Sequence, residues 1–518
     1  MQQTEHGGRA LAEALRKAYA NGLDDYHMTA LVSRSHRRIQ DGDSVVFCCR
    51  RGEREIELTE MFTDPAFSAV PRKYLHDLDF VLLTQYHEKF QYLPIAFAPY
   101  KVDLPLAQVL SKAGKTQFHC AESEKFAHVT YFFNGGNDNN FTGETDRCVP
   151  SPKGLSFDTV PQLSLPEVAK MVEEALGGYD FIVVNFANGD VIGHTSSTEA
   201  KLEACEAVSS NLEKVVVKAL KRDYVVIVTA DHGNIEKLYA KNGTPDVAHT
   251  TSLVPFIILD PNNPNETIQL RDGSLCDVAP TVLDIMGIKK PAQMTGNKLT
   301  GNSGWGKNRK VLLVILDGWG LGSGDDNDAI FLASTPYWDS LIGRSSWCRL
   351  NASGTHVGLA SGKAGNSEAG HLNLGAGRRV IQDDIRIDKA IEDGSFEKNP
   401  VILHSIGKAR EKGAALHLIT YLTYRSSHGS MDYAVAVARM AKAQELRNVY
   451  LHIIFDGRST EPGSAPELLM DLENKLQNIG TGYIVDGIGR GFALDRDRNY
   501  ERVKQAYDMM VEGKGTAY

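Results

Sequence analysis

No apolar run in this chain approaches the ~20 residues needed to cross a bilayer. The opening stretch MQQTEHGGRALAEALRKAYANG has no apolar core of the kind a secretory leader carries. No membrane partner is expected, and a cytoplasmic setting is. Cysteine is sparse: seven residues, an odd number, scattered, with no C-x-x-C pair. That argues against a disulfide framework or a thiolate zinc site and fits reduced thiols. Positive charge is also short, with 56 Lys and Arg against 65 Asp and Glu, a net charge of -9. A general nucleic-acid binder needs a basic face to displace phosphate counterions, so no nucleic-acid partner is expected. The GIGRG segment at 487–491 lacks the third glycine of a dinucleotide fingerprint, and LDRD follows it where an apolar helix should start.

What is present is alternation. Short runs rich in Val and Ile recur at 44–48, 80–85, 180–186, 224–229, 255–259, 312–316, 416–422 and 449–455. Runs this continuous suit parallel strands buried on both faces. Helical patterns at 165–176, 199–220, 431–446, 465–478 and 499–512 lie between them, so the fold class is α/β. A chain of 518 residues exceeds one ordinary core, and two or more domains are expected. The segment KVLLVILDGWG, 310–320, reads like the first strand of a domain although it stands in mid-chain, directly after the Gly-, Asn- and Ser-rich stretch 295–308. A flexible joint followed by a first strand is what fusing an old carboxyl terminus to an old amino terminus would leave.

Several strand ends carry polar groups, where ligands of open α/β sheets bind. Asp190 and His194 (NGDVIGH), Asp231 and His232 (TADHGN), His249 (AHTT) and Asp317 (LDGWG) are carboxylates and imidazoles in short post-strand contexts. Such groups form sites for Mn²⁺ or Zn²⁺, and two such ions can hold a phosphoryl group between them. One motif alone is weak, since an Asp often caps a helix; four strand ends with the same ligand chemistry are not. Ser367, in SGKAGNSEAGHLNLGAG, has no Gly-x-Ser-x-Gly elbow around it, so metal activation is a better reading than a hydrolase triad. A helix N-cap role for Ser367 is compatible with this.

At these residues a resemblance becomes specific. The LDGWG, GNSEAGH, NFANGDVIGHT, TADHGN and AHTT segments resemble those of cofactor-independent phosphoglycerate mutases, of the alkaline phosphatase superfamily, in rotated order. The resemblance implies a circularly permuted chain. Its alkaline-phosphatase-like α/β domain would occupy 104–380, containing the fusion linker 300–308. A smaller α/β transferase domain would be split between 1–103 and 381–518. It implies one metal held by Asp190, His194 and His249, and another by Asp317, Asp231, His232 and Ser367. Two divalent ions are expected, Mn²⁺ first, with Mg²⁺ or Co²⁺ as alternatives, and no bisphosphoglycerate. Lys125 would neutralise phosphate charge. Arg51, Arg54, Arg458, Ser459, Arg490 and Arg496 would hold the substrate, and His428 would bind it and shuttle a proton. The implied activity is interconversion of 3- and 2-phosphoglycerate through a phosphoserine at Ser367, a glycolytic and gluconeogenic step carried out by a monomer on a small-molecule substrate. Departures from the family pattern lie in the glycerate-holding half: TYRSSHG at 423–429, and Ser459 where the family has an aspartate. They keep open a metal-dependent phosphatase or another phosphomutase of the same superfamily, with reduced mutase turnover.

Overall fold

The computed structural model describes residues 6–50, 54–263, 268–301, 304–305, 308–426 and 428–518. The chain divides into two units, the first made of the described residues of Met1–Pro99 and Arg386–Tyr518, the second of Tyr100–Ile385. The expected breaks were at 103/104 and 380/381.

The second unit carries an eight-stranded sheet in the order Gly273–Ser274, Ser346–Asn351, Val254–Leu259, Tyr224–Thr229, Lys310–Leu316, Phe181–Phe186, Gln117–Glu122, Glu144–Val149. The start-like strand Lys310–Leu316 is central, parallel to Phe181–Phe186 on one side and to Tyr224–Thr229 on the other. Its Val311, Leu312, Leu313, Val314 and Ile315 are fully buried, which is why the run is continuously apolar. Because these three strands are parallel, the residues that follow them emerge at one edge of the sheet. The strands Val254–Leu259 and Ser346–Asn351 add on antiparallel. The helix Thr198–Lys221 starts at Ser197, whose side chain accepts from the Ala200 amide, and buries Ala204, Val208, Leu212 and Val215.

The first unit has its own eight-stranded sheet, ordered Thr516–Ala517, Leu31–Val32, Tyr483–Gly489, Val449–Phe455, Leu416–Leu422, Ser44–Phe47, Asp79–Thr84, Ile95–Phe97. Strands from the two distant chain segments interleave. Thr516–Ala517 runs parallel to Leu31–Val32, and the helix Gly8–Ala20 packs near Ala465–Ile479, where Glu473 accepts from the His6 amide at 3.0 Å. A buried polar chain also spans the seam: Asp43 Oδ2 to His417 Nε2 at 3.3 Å, His417 Nδ1 to His452 Nε2 at 2.9 Å, and His452 Nδ1 to Asp486 Oδ1 at 2.8 Å.

The expectation of a flexible joint over 295–308 is corrected for its described part. Leu299, Thr300 and Trp305 are buried, and the Gly296, Asn297 and Leu299 amides donate to Gly377 O, Asp277 Oδ1 and Thr281 Oγ1 at 2.9, 2.7 and 2.9 Å. A Gly- and Asn-rich composition signals conformational permissiveness; it says nothing about whether the backbone finds partners. Among the described residues no helix is long and apolar enough to cross a membrane.

Candidate metal centre

In the second unit the three parallel strand ends deliver Asp317, Asp190 and Asp231–His232 to one place. Close approach is allowed by glycine: Gly318 has φ +71°, and a Cβ there would lie 2.6 Å from the Asp190 amide nitrogen. Gly370 does the same for the helix Ser367–Ala376, since a Cβ would meet the Asp231 carbonyl oxygen at 2.6 Å. The N-cap of that helix is Asn366, whose side chain accepts from the Ala369 amide, so Ser367 is its first residue and not its cap. A helix amino terminus favours negative charge.

Ser367 Oγ is the meeting point. Lys125 Nζ donates to it at 2.7 Å, it lies 3.0 Å from Asp317 Oδ1, and His232 Nε2 is 3.0 Å away. Lys125 also donates to Asp190 Oδ2 at 2.6 Å and Asp317 Oδ1 at 2.7 Å. Burial opposes the Lys125 ammonium, but the Asp317 and Asp190 charges outweigh it and hold the amine above its usual range. Burial likewise disfavours the Asp317 carboxylate, yet Lys125 and His232 hold its acid well below the usual range. Burial opposes the His232 imidazolium too; Asp231 and Asp317 override it and push its pKa up to about 9.

His194 Nε2 lies 3.2 Å and His249 Nε2 2.9 Å from Asp190 Oδ1, and the two imidazole nitrogens are 3.0 Å apart. His194 Nδ1 faces the Val247 carbonyl at 2.7 Å and His249 Nδ1 the Gly365 carbonyl at 2.8 Å, which turns both Nε2 atoms inward. Ligand atoms of Asp190, His232 and His249 converge within 4.8 Å, as do those of Asp231, His232 and Asp317. The donor set fits divalent cations. Two carboxylates share one lysine, and among the described residues Asp231 Oδ2 is buried without a hydrogen-bond partner although His371 Nδ1 and His232 Nε2 stand 3.3 and 3.4 Å away. An orphaned buried carboxylate oxygen is costly unless a cation meets it.

Sequence reasoning missed the residues that orient these ligands. Asn185 donates to Asp317 Oδ2 at 2.6 Å, Asn234 to Asp190 Oδ1 at 3.1 Å, and His371, one helical turn beyond Ser367, faces Asp231. Asn185 had a signal, being the one polar residue of the strand FIVVNF. A further titratable group, His119, Glu144 and Asp146, converges on the edge strand Glu144–Val149 and its neighbour Gln117–Glu122.

The residues expected to hold substrate lie, apart from Lys125, in the first unit. Arg490 is buried and paired with Asp456, its guanidinium 5.6 Å from the Tyr421 ring centroid. Arg54 donates to the Leu494 carbonyl at 3.1 Å. Arg458, Ser459 and Arg496 are exposed, and the Ser459 amide donates to Asp456 Oδ2 at 3.1 Å. His428 is half-buried with Nδ1 3.0 Å from Glu55 Oε1. Arg51 lies outside the described residues. Arg490, Asp456 and His428 follow parallel strands at their carboxyl ends, the position expected of a ligand site.

Residues 5–290 match the family model described as the metalloenzyme superfamily, and residues 387–518 match that of the BPG-independent PGAM N-terminus. Asp317 and Ser367 lie beyond the first match, yet the strand leading to Asp317 pairs with two strands inside it. The chain is 42% identical over 317 residues to a 2,3-bisphosphoglycerate-independent phosphoglycerate mutase of Chloroflexus aggregans, covering 55% of this chain and 58% of the relative. It is 41% identical over 291 residues to one of Akkermansia muciniphila, covering 56% of each. The chain thus spans a little over half the length of the curated relatives it matches. A crystal structure of Leishmania mexicana phosphoglycerate mutase at low cobalt concentration is similar at 29% identity over 51% of each chain, with a TM-score of 0.41. With its carboxylates and imidazoles converging at strand ends and a family model matched over residues 5–290, this chain belongs to the metalloenzyme superfamily.

Proposed function

We propose that the chain is a metal-dependent phosphoglycerate mutase that moves a phosphoryl group between the two hydroxyl oxygens of glycerate through a phosphoserine at Ser367, without bisphosphoglycerate. The observation that carries this reading is the convergence of Lys125 Nζ, Asp317 Oδ1 and His232 Nε2 on Ser367 Oγ within 3.0 Å, at a helix amino terminus. Asp190, His194 and His249 would hold one divalent ion, and Asp317, Asp231, His232 and Ser367 the other, with Mn²⁺ the favoured metal. When bound, such ions lower the pKa of a coordinated hydroxyl and offset phosphoryl charge. Lys125 adds a fixed positive charge beside the serine oxygen, where negative charge develops during transfer. In the first unit Arg54, Arg458, Arg490, Arg496 and Arg51 would recognise the substrate carboxylate, since guanidinium pairs bidentately with it. The names of the relatives support the substrate class.

We further infer that the chain is a circular permutant. A strand from 310–316 seated between strands from 181–186 and 224–229 supports this, as does the interleaving of residues 31–97 with 416–517 in one sheet. A reducing, cytoplasmic setting is consistent with the buried thiols Cys48, Cys49, Cys120, Cys205 and Cys348. The second reading is a phosphatase, favoured by the exposure of Arg458, Ser459 and Arg496: loosely held glycerate would leave phosphoserine to water. The test supplies 3-phosphoglycerate with and without Mn²⁺ and follows 2-phosphoglycerate and inorganic phosphate. Metal-dependent formation of 2-phosphoglycerate supports the mutase; inorganic phosphate alone overturns it in favour of the phosphatase.

A further inference from the structure

Glu55 has no part in the reading so far. It caps the helix Ile56–Thr63, and its backbone carbonyl accepts from the Thr59 amide and hydroxyl at 3.1 and 2.8 Å. Its side chain is wholly buried, and one oxygen, Oε1, lies 3.0 Å from His428 Nδ1, while Oε2 is buried with no hydrogen-bond partner among the described residues. The His428 ring is held in place from two further directions. Tyr421 stacks on it at 5.5 Å with an interplanar angle of 21°. The His428 carbonyl accepts from the Arg50 amide at 2.9 Å, and its amide donates to Ser426 Oγ at 3.2 Å. Nothing in the bare sequence marks this pair, because Glu55 is one acid within the charged run RRGERE.

We propose that Glu55 is the positioning residue of a carboxylate–imidazole dyad, keeping His428 in the Nδ1–H form so that all proton exchange with substrate runs through Nε2. The inference rests on the mutase reading for its substrate, and on the Glu55–His428 geometry alone for the dyad. A carboxylate oxygen can only accept, so an ionised Glu55 at 3.0 Å requires the proton on Nδ1. Burial holds the Glu55 acid above its usual carboxylate range, against the pull of His428 and Arg490, so the ionised form rests on the 3.0 Å approach of His428 Nδ1. A protonated Glu55 would donate to Nδ1 instead and leave the proton of the neutral ring on Nε2. The seat of Glu55 at a helix amino terminus favours the carboxylate.

In the cycle, phosphorus leaves a glycerate oxygen for the ionised Ser367 Oγ, and the imidazolium gives its Nε2 proton to that glycerate oxygen. The neutral ring then takes a proton at Nε2 from the other hydroxyl as that oxygen gains the phosphoryl group. Nδ1–H stays on Glu55 throughout, and the dyad ends each turnover as it began.

The deciding experiment is ring-¹⁵N NMR of His428 in the full-length protein, with kinetics of Glu55→Gln and Glu55→Asp. We expect the neutral ring to be the Nδ1–H tautomer. We expect E55Q to lower kcat for 3-phosphoglycerate transfer by about 10–100-fold with KM changed less than about 2-fold, and E55D to recover part of the loss. Hydrolysis of p-nitrophenyl phosphate, whose leaving group needs no acid, should change less than about 2-fold in E55Q. An Nε2–H tautomer in the unmutated protein, or full transfer activity in E55Q, overturns the proposal. Absence of transfer by the unmutated protein overturns the mutase reading instead, and the tautomer measurement still decides the dyad.

Discussion

Replacing Lys125 by methionine removes one charge from the centre and keeps most of the side-chain volume. The ammonium donates to Asp190, Asp317 and Ser367 at 2.6, 2.7 and 2.7 Å, and its side chain is 6% exposed. Breaking a buried ion pair by deleting one partner costs about 3–5 kcal/mol, because the remaining charge is left uncompensated. Here two carboxylates lose the same cation, so the upper end of that range applies in the absence of metal. For a unit of this size a kcal/mol corresponds to about 2 °C, giving a fall in Tm of about 8–10 °C. The two arms of the assay are scanning calorimetry after chelation and at saturating Mn²⁺. With divalent cations bound, Asp190 and Asp317 have another counter-charge, and the deficit should shrink to below about 3 °C. Transfer activity should still fall by about 10²–10³, the usual consequence of losing one group that stabilises developing charge. A metal-free Tm within about 2 °C of the unmutated protein, or the same deficit with and without Mn²⁺, would refute the charge balance drawn for this centre.

Four other outcomes follow from the structure. Chelation should abolish activity and Mn²⁺ restore it. His232, held protonated by Asp231 and Asp317 with a pKa of about 9, must lose its proton to ligate, so titration calorimetry in buffers of different ionisation enthalpy should show about one proton released per chain at pH 7.5, and no release would contradict the ligand role. Asp146→Asn should raise Tm at pH 7.5 by about 2–4 °C and leave it unchanged near pH 4, as read by calorimetry at both values. Burial pushes the Asp146 acid up to about 6, with Glu144 adding to the rise and His119 opposing it; a folded-state value above the unfolded one means ionisation works against the fold as pH rises through that window, by about 1–2 kcal/mol once solvent screening of this half-buried group is allowed for. Ser459→Asp should raise the ratio of 2-phosphoglycerate to inorganic phosphate several-fold, because a bond from the substrate hydroxyl to a charged acceptor is stronger by about 1 kcal/mol or more than one to a neutral acceptor; an unchanged ratio would move attention to the 423–429 loop.

The sequence carried the strands whose burial is two-sided. Lys310–Leu316, Tyr224–Thr229 and Leu416–Leu422 are continuous apolar runs because both their faces are buried, and Asp317, Asp231 and His232 at the ends of the first two were legible for the same reason. Gln117–Glu122 escaped notice because His119, Cys120 and Glu122 interrupt its pattern, although every residue in it is buried. Ser346–Asn351 alternates in burial, as a strand near a sheet edge does, and gives no continuous run to see. The ligands Asp190, Asp231, His232 and Asp317 announced themselves by repetition of one chemistry; Asn185, Asn234 and His371 did not, since an amide or a lone imidazole has many ordinary uses. Glu55 could not be read at all, because its partner His428 is separated from it by 373 positions and only the sheet order brings them together.

The central claim is that phosphorus passes through Ser367. Rapid acid quench of the Mn²⁺-loaded protein with 3-phosphoglycerate, followed by peptide mass spectrometry, tests it most directly. The account predicts a phosphorylated peptide with the added mass on Ser367, formed within one turnover, and a Ser367→Ala protein that folds normally, carries no phosphate and makes no 2-phosphoglycerate. Phosphate on another residue, or 2-phosphoglycerate made by the alanine variant at the unmutated rate, would contradict it.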